Sequence, residues 1–380
     1  MDPDFGLSED ERDLIELTRA WVRDRVSPST AGFEEKKEFP RELFRQLGEM
    51  GLAGIPYEER FGGGGQSFLL YLAVVEEVAR GSLPLAVTVS VHHLCAFAIH
   101  EFGSDELKER YLPGLFSGQH LGAYALSEAA SGSDAAALRT RAQRDGDAYV
   151  LNGSKRFITH GGEAEVYLVM ARSGGEGPSG ISAFVVEKGW EGFEFGKLEE
   201  KMGWGSSPMR ELLFEGCRVP RENLVGEEGI GFRIALSALD GGRLGIAACS
   251  VGLAQAALDA SIAFTRDRAQ FGRPVIENQA IQFMLADMAT ETEASRRLYR
   301  EAARARDAGV DYSVAASMAK LHASDTAMRV TTDAAQLHGG YGYMQEYPVE
   351  RYMREAKALQ IVEGTNQIQR LVVGRHLAGA

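Results

Sequence analysis

The sequence predicts a mainly α-helical fold built around a central β region. Three observations carry that prediction. Helical periodicity runs through about the first 120 residues, short Val-, Ile-, Tyr- and Phe-rich runs separated by glycine occupy about 121–231, and long helical segments return from 232 onward. The chain therefore divides into an N-terminal helical domain (1–120), a middle β domain (121–231) and a C-terminal helical bundle (232–380). A length of 380 residues, beyond what one hydrophobic core usually supports, agrees with this division.

Taken in order, Ser8 and Glu11 form a capping box ahead of Leu14, Ile15 and Leu17, and Pro40 opens a helical run through Leu43, Phe44 and Leu47. Glycines 62–65 interrupt the pattern. Apolar helical stretches follow at 68–78 and 87–102, the second apolar on most faces. The β texture consists of runs at 149–151, 157–159, 166–171, 181–187, 193–195 and 212–214. Asn152-Gly153 between two of them reads as a hairpin turn, and 174–180 as a surface loop. Helical segments at 232–266, 278–307, 312–337 and 349–373 then suggest an antiparallel four-helix bundle. Clefts at the junctions of such regions are common ligand sites.

Composition excludes several function classes. A net charge of -13 argues against nucleic acid as the main partner, because phosphate binding draws on excess Lys and Arg. The widely spaced Cys95, Cys217 and Cys249 suit a reducing compartment, and the acidic N-terminus resembles no targeting segment, so a cytoplasmic location is expected. No stretch reads as the roughly 20 apolar residues of a membrane-spanning helix. The phosphate-binding and nucleophile-elbow motifs of Rossmann, P-loop and α/β-hydrolase enzymes are absent. His92, His93 and Cys95 form the one local metal-like cluster, but they lie in an apolar helical stretch without a second ligand group and read as packed side chains, so no metal is expected.

Three segments carry the chemistry: YALSEAASGSD (124–134), RAQFGRPVIENQ (268–279) and IVEGTNQIQR (361–370). With FGSDELKERYLPGL, LNGSKRFITHGG and QLHGGYGYMQEYPVERYMREA at fitting spacing, they resemble the acyl-CoA dehydrogenase family over essentially the whole chain, and in texture its short-chain branch. The resemblance implies an N-terminal helical domain, a middle β-barrel domain and a C-terminal four-helix bundle. It also implies an FAD cofactor, a homotetramer built as a dimer of dimers, and an electron-transfer flavoprotein as electron acceptor.

The resemblance also assigns roles to residues. Glu363 is the base that takes the substrate's α proton while the β hydrogen leaves as hydride to FAD, and its backbone N–H helps hold the thioester carbonyl. Tyr124, Leu126, Ser127, Ser133, Phe157 and Thr159 meet the flavin end. Arg268, Gln270, Phe271, Gln336, Leu337, Gly339 and Gly340 meet the dinucleotide from a neighbouring subunit, with Thr365 and Gln367 also at the cofactor. Ser133, Asp240, Arg243, Val362 and Gly364 line the acyl-CoA. Chemistry supports these types: hydride arrival puts negative charge on the ring, which N–H and O–H donors stabilise, and Arg pairs its planar fork with phosphate oxygens. A carboxylate buried beside a thioester has its pKa raised from about 4.3 toward neutrality, where a general base works well.

Outside that pattern each residue has a plainer reading. SGSD would be a polar turn, Arg268 a helix-end charge, Gly339 and Gly340 a helix C-cap, Asp240 with Arg243 a capped helix start with an intrahelical ion pair, and Glu363 a surface residue. Some branches place the base on the first bundle helix, within the segment LDGGRL here, where Gly242 leaves Glu363 without a rival. Ala129-Ala130 replaces a frequent Pro-Gly, Phe157 a frequent Trp and Val362 a frequent Tyr, the last of which leaves chain length open. A straight short- to medium-chain acyl-CoA is expected. A short branched acyl-CoA, an O2-using oxidase on the same fold and a non-catalytic scaffold relative stand as alternatives.

Overall fold

A computed structural model of the chain describes residues 7–379. α1 (Glu9–Trp21) starts at the expected capping box, with the Ser8 hydroxyl accepting from Glu11 N at 3.2 Å and the Glu11 carboxylate accepting from Ser8 N at 2.8 Å. It continues through one π-helical turn into α2 (Ser27–Lys36), and α3 (Arg41–Glu49) follows Pro40. α4 (Phe68–Gly81) and α5 (Leu83–Phe102) are buried along nearly their whole length, and α6 (Asp105–Phe116) closes the N-terminal region behind its Ser104 cap.

The expected barrel region is an eight-stranded sheet. Its strands are β1 (Gly122–Ala125), β2 (Arg141–Asp145), β3 (Ala148–Thr159), β4 (Val166–Arg172), β5 (Ile181–Glu187), β6 (Phe193–Leu198), β7 (Met209–Pro220) and β8 (Leu224–Val225). The order is β6-β7-β3-β2-β4-β5-β8, with β1 added parallel to β4. Asn152-Gly153 is not the hairpin turn its sequence suggests. Both residues lie inside β3, where the register with β7 shifts after Leu151, and Gly153 takes a φ of 139°. A Cβ there would come within 2.8 Å of Thr140 Cα, so glycine serves close strand approach. The 174–180 segment does form the connection from β4 to β5.

The C-terminal region holds α7 (Gly231–Asp267), a short hairpin of β9 (Ala269–Gln270) and β10 (Arg273–Pro274), α8 (Gln279–Asp307), α9 (Ser313–His338), α10 (Pro348–Leu359) and α11 (Asn366–Leu377). The single fourth segment expected over 349–373 is two helices, broken at residues 360–365, and Glu363 sits in the break. α7 is the spine, packing on α4, α5, α8 and α9.

Two helices also correct the expectation that no stretch is long and apolar enough to span a membrane. α5 and α7 both are, yet 89% and 67% of their most apolar windows are buried inside the protein, so their apolar surface is spent on the core.

A buried ionic network ties α4 to α8. Arg296 Nε donates to Glu76 at 2.8 Å, Tyr299 donates its hydroxyl to the other carboxylate oxygen, and Arg300 lies beside them. Burial alone would raise the Glu76 pKa, but the two guanidiniums hold it below the usual carboxylate value. Glu76→Ala removes the carboxylate beside buried Arg300 and leaves Arg296 with Glu293 alone as its ion-pair partner. We expect a loss of about 3–5 kcal/mol in chemical denaturation.

Candidate active site

The break between α10 and α11 builds the site. Thr365 caps α11 by accepting from Ile368 N at 3.3 Å, and the preceding residues run left-handed, Glu363 at φ 53° and Gly364 at φ 88°. A non-glycine residue held there costs about 1–3 kcal/mol and needs outside support. Gln369 Nε2 supplies it by donating to the carbonyls of Glu363 (3.2 Å) and Gly364 (2.9 Å). Lys320 Nζ on α9 donates to the Gly364 carbonyl (3.0 Å) and to Asn366 Oδ1 (2.9 Å). A Cβ on residue 364 would approach Gln369 Nε2 to 2.8 Å, so the turn requires glycine there as well as by its φ.

All these donors serve the turn's backbone or Asn366; none reaches the Glu363 carboxylate. Both of its oxygens are out of solvent and without a hydrogen-bond partner. They rest against α7 at Gly242, where an added Cβ would lie 2.1 Å from Glu363 Oε2 and 2.6 Å from Leu94 Cδ2 of α5. Burial pushes the Glu363 pKa up to about 8, opposed by the positive charges of Lys320 and Arg243. Tyr71 of α4, Tyr124 of β1 and Cys249 of α7 feel its charge from the other sides. A carboxylate with free lone pairs and a proton affinity near neutrality is equipped to accept a proton from a bound molecule.

Around this centre the structure gathers part of the expected set. Arg243 Nη1 holds Asp240 at 2.6 Å, leaving the Arg243 Nε without a partner; the pair lies well inside α7, not at its start. Tyr124 donates its hydroxyl to Ala235 O at 3.2 Å, and burial raises its pKa. Val362 packs half-buried against the main core. Thr365 and Gln367 line a groove of about 290 Å³ with Asp325, Gln360 and Arg370.

The β-region residues form a second patch. Leu126 is buried, Ser127 is half-buried with its carbonyl accepting from Arg156 N at 2.8 Å, and Ser133 is exposed. Thr159 is half-buried in the ladder opposite Met209. Phe157, at φ 60°, turns its ring outward at 59% exposure. A buried ion pair anchors this patch: Lys155 Nζ donates to Leu126 O (3.1 Å) and to Glu128 (2.8 Å), whose carboxylate also accepts from Arg139 N (2.6 Å) and Thr140 N (2.9 Å). Burial lowers the Lys155 pKa to about 8 against the pull of Glu128. Lys155→Met strips Glu128 of its counter-charge and frees the 126–131 loop. It should lower stability by about 3–5 kcal/mol, read by chemical denaturation.

Arg268, Gln270, Gln336, Leu337, Gly339 and Gly340 line a third patch, a surface groove of about 580 Å³ that also includes Tyr341. Phe271, on the β9–β10 turn at φ 53°, is fully exposed. Gly339, at φ 57°, is indeed the C-cap of α9, so that plainer reading holds as well.

His92, His93 and Cys95 are packing residues. Gly122 N donates to His92 Nδ1 at 2.9 Å and the other ring nitrogen meets Leu115 O at 3.1 Å, while His93 stacks on Tyr71 with ring centroids 4.5 Å apart. All three cysteines are free and buried. Among the described residues no group of three or more His, Cys, Asp or Glu is placed to hold a metal.

Sequence reasoning missed Lys320, Asn366, Gln369, Leu94 and Lys155. The two lysines carried a signal: each interrupts a stretch whose neighbours at core spacing are small or apolar, where a lysine needs a buried partner.

The fold sets a sheet domain between two helical regions, and its C-terminal bundle carries a buried, unpartnered carboxylate on a left-handed turn. The chain matches the acyl-CoA dehydrogenase N-terminal domain over 8–119, the middle domain over 123–217 and the C-terminal domain over 229–378. It is 44% identical to a mitochondrial isobutyryl-CoA dehydrogenase of Dictyostelium discoideum over 378 residues, 99% of this chain and 91% of that protein. Butyryl-CoA dehydrogenase of Megasphaera elsdenii superposes with a TM-score of 0.97 at 44% identity, covering 99% and 100% of the two chains. A chain in the structure reported as "Electron transferring flavoprotein of Acidaminococcus fermentans: Towards a mechanism of flavin-based electron bifurcation" superposes with a TM-score of 0.97 at 47% identity, covering 98% and 99%. The chain belongs to the acyl-CoA dehydrogenase family. As a member it is an FAD-dependent oxidoreductase that acts on acyl-CoA.

One feature of this structure fits FAD, and another fits an acyl-CoA beside it. An aromatic ring stands exposed on a constrained backbone at Phe157, beside a loop locked by Lys155 and Glu128. Glu363 keeps two buried oxygens free for a ligand.

Proposed function

We propose that the chain converts a short- to medium-chain acyl-CoA to the trans-2-enoyl-CoA, with Glu363 removing the α proton. The observation that carries this reading is the carboxylate itself: buried, without a donor, on a left-handed turn and seated against Gly242. The α C–H of a thioester is acidic enough for a carboxylate of raised proton affinity to remove, provided the developing enolate oxygen meets donors. The backbone N–H of Glu363 is our candidate for one of them. Bound FAD supplies the two-electron acceptor that takes the β hydrogen as hydride.

In this reading Tyr124, Leu126, Ser127, Phe157 and Thr159 border the flavin end, with Ser133 near its phosphate or the CoA. Arg268, Gln270, Phe271, Gln336, Leu337, Gly339 and Gly340 receive the dinucleotide of a neighbouring copy, and Thr365 and Gln367 also touch the cofactor. Asp240 and Arg243 hold the pantetheine portion, and Val362 and Gly364 border the acyl group. Fully exposed Phe271 and 85% exposed Tyr343 fit a subunit interface, and with it a homotetramer built as a dimer of dimers. We take an electron-transfer flavoprotein as the electron acceptor, which the Acidaminococcus structure supports. Three free cysteines fit a reducing compartment such as the cytoplasm.

A short branched acyl-CoA is the second reading, favoured by the isobutyryl-CoA relative. A panel of acyl-CoA esters of varied length and branching, scored by kcat/KM with an artificial electron acceptor, tests both. Highest values for butyryl- to octanoyl-CoA support the first reading, and a maximum at isobutyryl-CoA replaces it with the second. Rapid reoxidation of the substrate-reduced protein by air, with peroxide formed, would make it an oxidase.

A further inference from the structure

Lys320 is completely buried on α9, and its ammonium meets no carboxylate at ion-pair distance among the described residues. Burying an ammonium is costly, and a fold retains one where its contacts repay the desolvation. Both of its acceptors, Gly364 O at 3.0 Å within the α10–α11 break and Asn366 Oδ1 at 2.9 Å at the start of α11, lie within three residues of Glu363. Asn366 is itself fixed, donating to Asp325 at 2.7 Å and Ser324 at 3.0 Å and receiving Ser324 at 3.1 Å. The lysine thus clamps the turn that carries the carboxylate, and its charge stands behind a group that no hydrogen bond stabilises.

We propose that Lys320 is a positioning residue for the base: it fixes the left-handed Glu363 turn, and its charge, not a hydrogen bond, favours the proton-accepting carboxylate against the buried acid, leaving both oxygens free for substrate. This rests on the reading of Glu363 as the base. The other groups facing Glu363 do not duplicate the role. Arg243 of α7 is compensated by Asp240 at 2.6 Å, Tyr71 of α4 and Tyr124 of β1 are neutral phenols, Cys249 of α7 is a buried thiol, and Leu94 of α5 is apolar. Around Lys320 itself the remaining charge is Asp325, which Arg370 pairs at 3.0 Å.

A positive charge favours the carboxylate, so its removal must raise the pH at which Glu363 gives up its proton and make the base less available at neutrality. Lys320→Gln retains hydrogen-bonding capacity without charge, and Lys320→Met removes both. Each is studied as the FAD holoenzyme beside wild type. Infrared pH titration, with Glu363→Gln as the reference that isolates this one carboxyl, should place its protonation at least about one pH unit higher in both variants. The acidic limb of kcat/KM for butyryl-CoA should move by the same amount. At neutral pH kcat should fall about tenfold, with KM changed less than threefold. Titration and pH profile superimposable on wild type, with only thermal stability lowered, would make Lys320 a scaffold residue and overturn the proposal. Failure of both variants to retain FAD would overturn it too, by making the ammonium a folding requirement. Should Glu363→Gln turn over normally, the base reading fails separately, while the infrared titration still decides whether Lys320 governs that carboxyl.

Discussion

Glu363→Gln gives a protein that keeps FAD and binds butyryl-CoA, yet bleaches its flavin at least about 10³-fold more slowly under anaerobic mixing, because the amide cannot accept the α proton. The same substitution stabilises the fold. Glu363 has its pKa raised by burial to about 8, so the folded chain binds this proton more tightly than the unfolded chain does. For an acid shifted upward, the contribution is most favourable below the unfolded pKa near 4.5 and is lost as pH rises through 8. Glutamine removes that loss. Wild type should therefore fall behind the variant as pH increases from 5 to 9, by a few kcal/mol at the upper end, measured by denaturant unfolding at each pH. A functional group that destabilises its own fold and is relieved by its neutral isostere is the pattern of a site kept for chemistry.

Gly242→Ala should disable the same reaction from the opposite wall. The added methyl would stand 2.1 Å from Glu363 Oε2 and 2.6 Å from Leu94 Cδ2, so the carboxylate must move by about an ångström. A displacement of that size in a reacting group costs on the order of 10²-fold, and we expect kcat/KM for butyryl-CoA to drop by that factor with FAD retained. Gly241→Ala is the control one residue away. Its nearest neighbours would be Arg306 Nη1 at 3.7 Å and Phe68 Cζ at 3.8 Å, which are ordinary contacts. It should keep activity and gain up to about 1 kcal/mol from helix propensity. Equal loss in both variants would point to general disturbance of α7.

Much of this was legible in the sequence because periodicity and motif order agree. The helix–sheet–helix order, the Ser8 cap and the buried character of α5 follow from local pattern, where spacing alone decides which face is apolar. Local pattern failed where a long-range partner overrides it. Asn152-Gly153 has turn chemistry, but pairing with β7 draws it into a continuous strand. The segment 349–373 has unbroken helical spacing, but Lys320 and Gln369, 43 and 6 residues from Glu363 in sequence, stabilise a left-handed turn that spacing does not reveal. The length and apolarity of α5 and α7 were likewise underestimated, since a core helix surrounded by protein obeys the same composition rule as one in lipid. Within the site, motif resemblance pointed to Glu363 itself, whereas apart from Gln369 of α11 the groups that hold it lie on α5, α7 and α9, and only tertiary packing brings those to it.

We propose that Glu363 takes the proton from the substrate's α carbon. Butyryl-CoA deuterated at that carbon, mixed anaerobically with FAD-loaded wild type and Glu363→Gln, tests it when release of the label to water is followed by mass spectrometry. We predict prompt release by wild type and release slowed at least about 10³-fold in the variant. Label lost from the variant at the wild-type rate would contradict it.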